Sequence, residues 1–158
     1  MSINHAMQML AAEGGIFVGQ SVRYPGAMFN SLDGVPYSQR VEFPVAEGLQ
    51  LGYCIGLALA GHLPVCIFPR MDFTILALDQ LVNHLDKMHP QPKVIIRTAI
   101  GSRTPLNAGE QHTQDHVSAY QLMMPNIPIY RVENDADIAN VYKLALKREG
   151  SIIVVEKL

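Results

Sequence analysis

The run Ile152-Ile153-Val154-Val155 is the most constraining stretch of this chain. Consecutive β-branched residues with no polar alternation leave neither face for water, so such a strand must be covered on both sides. Similar short apolar stretches occur at Ile16-Phe17-Val18, from Pro64 to Phe68 and from Lys93 to Thr98, with shorter ones at Val41 to Phe43 and Pro128 to Val132. Between them lie segments with helical periodicity. The first runs from Met1 to Glu13, with Ile3, Ala6, Met7, Leu10 and Ala11 on one face and Ser2 as N-cap. Others span Val45 to Ala60, Asp72 to Met88, Asp115 to Met124 and Asp135 to Lys147, and Ser151 to Val155 forms the last strand. This alternation predicts an α/β fold of three layers, a mostly parallel sheet with helices on both faces. No internal repeat, low-complexity tract or linker interrupts the 158 residues, so a single domain is expected.

Composition narrows the partners. Hydrophobic residues make up 49% and charged residues only 16%, below the roughly 25% charged of average soluble domains. Part of the surface is therefore expected to lie against another subunit. A net charge of −2 and the lack of any basic run exclude nucleic acid as the main partner. The longest apolar stretch, Leu49 to Ala60, is broken by Gln50, Gly52 and Gly56 and is too short to span a membrane. Nothing in the first residues reads as a signal peptide, and a cytoplasmic location is expected. Cys54 and Cys66 sit in apolar stretches and are expected as buried free thiols. His84, Asp86 and His89 read as a solvated helix end rather than a metal site, so no metal is assigned to this chain.

Ligand sites of open parallel sheets gather beyond the C-terminal ends of the strands. Segments 19–40, 69–73 and 99–116 fall there, the last with Gly101, Pro105 and Gly109. The irregular stretch 21–40 is long for a loop without structure and is a functional candidate. No G-x-G-x-x-G, P-loop or G-x-S-x-G motif is present, which disfavours a dinucleotide site, a flavodoxin-like or nucleotide-binding module and a serine hydrolase. Glu47 stands out: it opens a helix that is almost wholly apolar, at the core's edge, where protonation is easily tuned. Along that helix Gly48, Gly52, Gly56 and Ala60 form a row of small residues at four-residue spacing, a flat groove into which another helix is expected to pack.

The residues from about Ile16 onward resemble the pyrimidine-binding module of thiamine diphosphate enzymes, above all the beta subunit of the decarboxylating component of 2-oxo acid dehydrogenases, and next transketolase. The resemblance is carried by Glu47 and its glycine-bearing helix, Ala60-Gly61-His62-Leu63-Pro64-Val65, Phe73, Leu78-Asp79-Gln80-Leu81-Val82-Asn83, and Gly109-Glu110-Gln111-His112-Thr113-Gln114. It implies the thiamine diphosphate-binding fold and a role for Glu47: bonding a ring nitrogen of the cofactor's aminopyrimidine, so that the thiazolium carbon can lose its proton. His112 is implied at the reacting end, in catalysis and substrate binding, with His116 one turn on. Phe73 and Met71 are implied near the shelf under the pyrimidine ring.

Departures from the family are informative. Gln20 stands where an acidic residue is common, yet remains a cofactor-contact candidate. Arg70 replaces a neutral position and reads either as a clamp for a substrate carboxylate or phosphate, or as a partner of Asp72. Asp33-Gly34 lacks the glycine of the family's Gly-Asp-Gly magnesium motif. Magnesium and diphosphate are therefore expected on a partner module, a separate diphosphate-binding subunit. The transketolase-type domain that follows in the family is not seen before Leu158. The expectation is half of a split enzyme, a homodimer or heterotetramer, acting on a 2-oxo acid or ketose; the alternative is a non-catalytic assembly or regulatory protein that retains the fold.

Overall fold

The strands that the β-branched runs demand pair in parallel throughout. In a computed structural model, which describes residues 1–102 and 107–158, six strands form one sheet in the order β2-β1-β3-β4-β6-β5. They are β1 (Gly15–Gly19), β2 (Arg40–Glu42), β3 (Leu63–Ile67), β4 (Ile95–Ile100), β5 (Ile129–Val132) and β6 (Ile152–Lys157). Alternate side chains along each inner strand enter opposite cores, as the twofold strand period requires. Phe17, Val65, Ile95, Ile152 and Val154 join Ala6, Met7 and Leu10 of α1 (Ile3–Ala12) and Ile138, Val141 and Tyr142 of α5 (Asp135–Lys147). Val18, Cys66, Ile96, Ile153 and Val155 face Leu51, Cys54 and Ile55 of α2 (Glu47–Leu59), with Val117 and Tyr120 of α4 (Val117–Met123). The three-layer expectation is met.

Helix ends follow their local chemistry. Ser2 caps α1 by accepting from the His5 N–H, and Asn134 caps α5 by accepting from Ala136 and Asp137. One expected helix does not form as a single rod. Residues 72–88 break into α3 (Met71–Thr74), a 3-10 turn at Ile75–Ala77 and a wide π turn at Gln80–Leu85. The Thr74 hydroxyl bonds back to Met71 O at 2.6 Å and meets Tyr120 Oη at 2.8 Å, which competes with regular helix geometry. Farther on, Asp86 is drawn to Asn126, accepting from its backbone N–H at 2.9 Å. Asp86 is thus committed to the fold, away from His84 and His89.

The small-residue row divides its work. Gly48 and Gly52 face this broken segment: a Cβ on residue 48 would meet Leu76 O at 3.5 Å, and one on residue 52 the Gln80 side chain at 3.6 Å, both ordinary contact distances. Gly56 has nothing within 4 Å of such a Cβ, and Ala60 is exposed. The Gly48 and Gly52 half of the predicted groove is therefore covered from within the chain, at distances that do not themselves demand glycine. Both cysteines are free and buried; the neighbouring Cys66 and burial push the Cys54 thiol far up.

One ion pair lies deep between strands and helix. Arg97 Nε and Nη2 donate to Glu156 Oε1 at 2.6 Å and Oε2 at 2.9 Å, and Tyr142 Oη donates to Oε1 at 3.0 Å. Removing one member strands the other charge in the core, which costs about 3–5 kcal/mol. Glu156→Ala should lose that much stability by urea denaturation, whereas Arg97→Met combined with Glu156→Leu should recover most of it.

Candidate functional site

The longest irregular segment, residues 20–39, folds over the C-terminal end of β1 because Arg40 gathers its carbonyl groups. Arg40 is buried; its Nε donates to Val35 O at 3.1 Å, Nη1 to Val22 O at 3.3 Å, and Nη2 to Val35 O at 2.7 Å and to Leu32 O. Glu42 fixes the start of the segment by accepting from the N–H groups of Ser21 at 2.5 Å and Arg23 at 2.9 Å. From α1, Asn4 Nδ2 donates to Asp33 O at 2.7 Å and Gln8 Nε2 to the same oxygen at 3.0 Å. Held at both ends, the chain turns sharply at Met28, Phe29 and Asn30, whose φ angles of 50°, 58° and 62° lie in the left-handed region. Non-glycine residues there cost about 1–3 kcal/mol each.

This turn and the β3 and β4 ends border an open cavity of about 880 Å³. Gln20, Tyr24, Met28 and Phe29 line one side, and Pro69, Arg70, Phe73, Asn107, Ala108 and His112 the other. Phe73 and His112 meet edge to face, ring centroids 5.3 Å apart. Arg70 lies buried, with Nη1 donating to Gly101 O at 3.2 Å. It forms no ion pair with Asp72: that carboxylate lies 3.4 Å from His116 Nε2 and accepts from the Gln114 N–H at 3.3 Å.

Glu47 does not line the cavity itself but stands immediately behind Gln20. Its side chain is at the start of α2, where no side-chain cap is present and the helix end favours a negative charge. The residue is 5% exposed, and Oε1 accepts from Gln20 Nε2 at 3.1 Å. Oε2 makes no hydrogen bond with a described residue, so one acceptor remains for a ligand. Gln20 thus couples the buried carboxylate to the cavity wall. An amide can donate to Glu47, whereas an ionised acid in its place would only repel it.

The fold therefore gathers Gln20, Arg70, Phe73 and His112 around one cavity, with Glu47 one hydrogen bond away. Two sequence-derived candidates fall outside the wall. Met71 is wholly buried in the core, and His116 is off the wall, stacked at 6.2 Å on Tyr120 with Nε2 3.4 Å from Asp72. Pro105 lies outside the described residues. Sequence reasoning did not single out Tyr24, Met28, Phe29 or Asn107; the loop's unusual length was the one signal that pointed to the first three.

A parallel sheet with helices on both faces and a cavity beyond its strand ends is an open α/β fold of the class whose ligands bind at that edge. The chain belongs to the transketolase pyrimidine-binding domain family, whose model matches residues 2–157. It is similar to the pyruvate dehydrogenase E1 component subunit beta of Caenorhabditis elegans, 27% identical over 120 residues, covering 73% of this chain and 34% of the relative. It is also similar to the 3-methyl-2-oxobutanoate dehydrogenase subunit beta of Mycobacterium tuberculosis, 27% identical over 143 residues, covering 80% of this chain and 41% of the relative. Among solved structures, a split-gene transketolase described as an inactive beta4 tetramer superposes with a TM-score of 0.75 at 17% identity, covering 97% of this chain and 49% of that one. The chain thus spans less than half the length of these relatives.

Arg40→Ala should remove the staple while leaving the sheet intact. Hydrogen exchange of the 22–35 backbone amides should accelerate by the equivalent of about 2–3 kcal/mol, with α5 protection unchanged.

Proposed function

We propose that this chain is the pyrimidine-binding part of a thiamine diphosphate enzyme that acts on a 2-oxo acid or ketose donor, completed by a separate diphosphate-binding subunit. The observation that carries this reading is the buried Glu47 carboxylate, its Oε2 still available, coupled through Gln20 to the cavity bearing Phe73 and His112. These residues fit the aminopyrimidine end of the cofactor: an acceptor for a ring N–H, an amide that orients it, and an aromatic face. When bound, the cofactor supplies a nucleophilic thiazolium carbon. Glu47 then holds or accepts a proton at the pyrimidine nitrogen, Gln20 keeps its carboxylate oriented, and Phe73 offers the apolar shelf. His112 stands on the cavity wall, where it can exchange a proton with the substrate oxygen. Magnesium and the diphosphate are assigned to the partner subunit, since this sequence lacks the Gly-Asp-Gly motif.

An apolar face supports assembly. Val45 is 80% exposed, Leu49 64%, Leu59 60% and Leu76 65%, beside the open Gly56. Large apolar side chains left this exposed on and beside one helix are candidates for an interaction site. On this reading α2 meets a second copy across a twofold axis, which brings the Glu47 end of the helix close to the subunit boundary.

In the assembled enzyme Glu47→Gln should keep most of the cofactor affinity and lower turnover ~100- to 10,000-fold. Proton–deuterium exchange at the thiazolium carbon, followed by NMR, should slow in step. His112→Ala should spare that exchange and reduce product formation. Normal exchange in Glu47→Gln would remove the functional reading's central residue. The assembly reading is checked by sedimentation: the native chain should be dimeric or larger at micromolar concentration, and Leu49→Glu should yield a folded monomer.

A further inference from the structure

The large cavity contains a cation that its own walls do not neutralise. Arg70 is 6% exposed, yet it lines the cavity, and its one hydrogen bond with a described residue is the one from Nη1 to Gly101 O. A guanidinium carries five N–H donors in a rigid fork, so most of the fork is unused. Among the described lining residues there is no aspartate or glutamate. Asp72, the nearby carboxylate, is turned to His116 and Gln114. Burial pushes the Arg70 guanidinium down from its ordinary value and Asp72 partly restores it, as expected for a charge withdrawn from water.

A withdrawn cation with unused donors calls for an anion on the ligand. We propose that Arg70 binds a permanent anionic group on the substrate's tail, a carboxylate or phosphate remote from the bond that breaks. The proposal rests on the functional reading above and sharpens it to a substrate class. The reacting carboxylate of a 2-oxo acid is a poor match for the fork. In decarboxylation the C1–C2 electron pair stays on C2 and the carboxylate departs as neutral CO2. An arginine paired with that group would stabilise the charged ground state more than the transition state and slow the reaction. A tail anion keeps its charge throughout, so its pairing with Arg70 orients the substrate at no cost to the chemical step. Tyr24, Phe29 and Phe73 supply apolar wall for the carbon chain between the two ends. Substrates with uncharged tails, such as pyruvate, leave the fork empty.

The test uses the full chain labelled with 15N-arginine, with the Arg70 Nε–Hε signal assigned by its loss in Arg70→Gln. Titrations with 2-oxoglutarate, ribose 5-phosphate and pyruvate distinguish a carboxylate tail, a phosphate tail and no tail anion. One of the first two should shift the signal and bind at least ~10-fold more tightly than pyruvate; Arg70→Gln should lower that affinity ~10- to 100-fold, to the pyruvate level. Arg70→Lys keeps the charge without the fork and should fall between, which carries the test should the glutamine variant fold poorly. Pyruvate binding as tightly as both tailed ligands, or no shift with any of them, overturns the proposal. The outcome is separable from that of the functional reading. Thiazolium-carbon exchange in Glu47→Gln tests the reading without involving Arg70, and tail-anion selectivity is measured without cofactor or partner.

Discussion

The candidate site depends on one arginine that never touches it. Arg40 lies under the segment that walls the cavity and collects carbonyl groups from Val22, Leu32 and Val35. A loop of this length would otherwise carry more unpaired backbone and more chain entropy than its apolar contacts could offset. A single planar cation with five donors satisfies several carbonyl groups at once, and this lets the loop hold three left-handed residues at Met28, Phe29 and Asn30. The position of Phe29 on the cavity wall is in this sense set from below.

The same economy appears around Glu47. Burial of a carboxylate is tolerated because the N-terminus of α2 and the Gln20 amide both favour it. The aromatic pair Phe73–His112 and the cation Arg70 arrive from the ends of β3 and β4. Each strand end thus contributes one kind of chemistry: an amide, a cation, an imidazole. The exposed Val45, just before α2, and Leu49 in its first turn lie at the same helix end.

Much of this architecture is legible in the amino-acid sequence. The β-branched runs and helical periods locate the sheet and its covering layers, and the motifs around Glu47 and His112 locate the site's two poles. What the sequence conceals is non-local. The helix expected over residues 72–88 is broken because Thr74 and Asp86 bond to Met71, Tyr120 and Asn126, partners that, Met71 aside, only the tertiary fold brings near. Arg40 reads only as the end of the irregular stretch 21–40, since its acceptors are backbone carbonyl groups that no side-chain pattern reveals. Met71 shares a short segment with Arg70 and Phe73, but the turn of α3 directs it into the core. Spacing along the chain does not decide which of the three faces the cavity.

The strand order also governs how the molecule comes into being. Of the six strands β6 is made last, yet it lies inside the sheet, between β4 and β5. During translation β1 to β4 can pair as they emerge, but the free side of β4 stays open until residues 152–157 leave the ribosome. Only then can Glu156 reach Arg97, already waiting on β4. A nascent chain therefore carries an unpaired strand edge and an uncompensated arginine from the emergence of β4 until β6 arrives. That open edge is a template for pairing with other chains, so demand on chaperones should last over that interval and fall as β6 slots in.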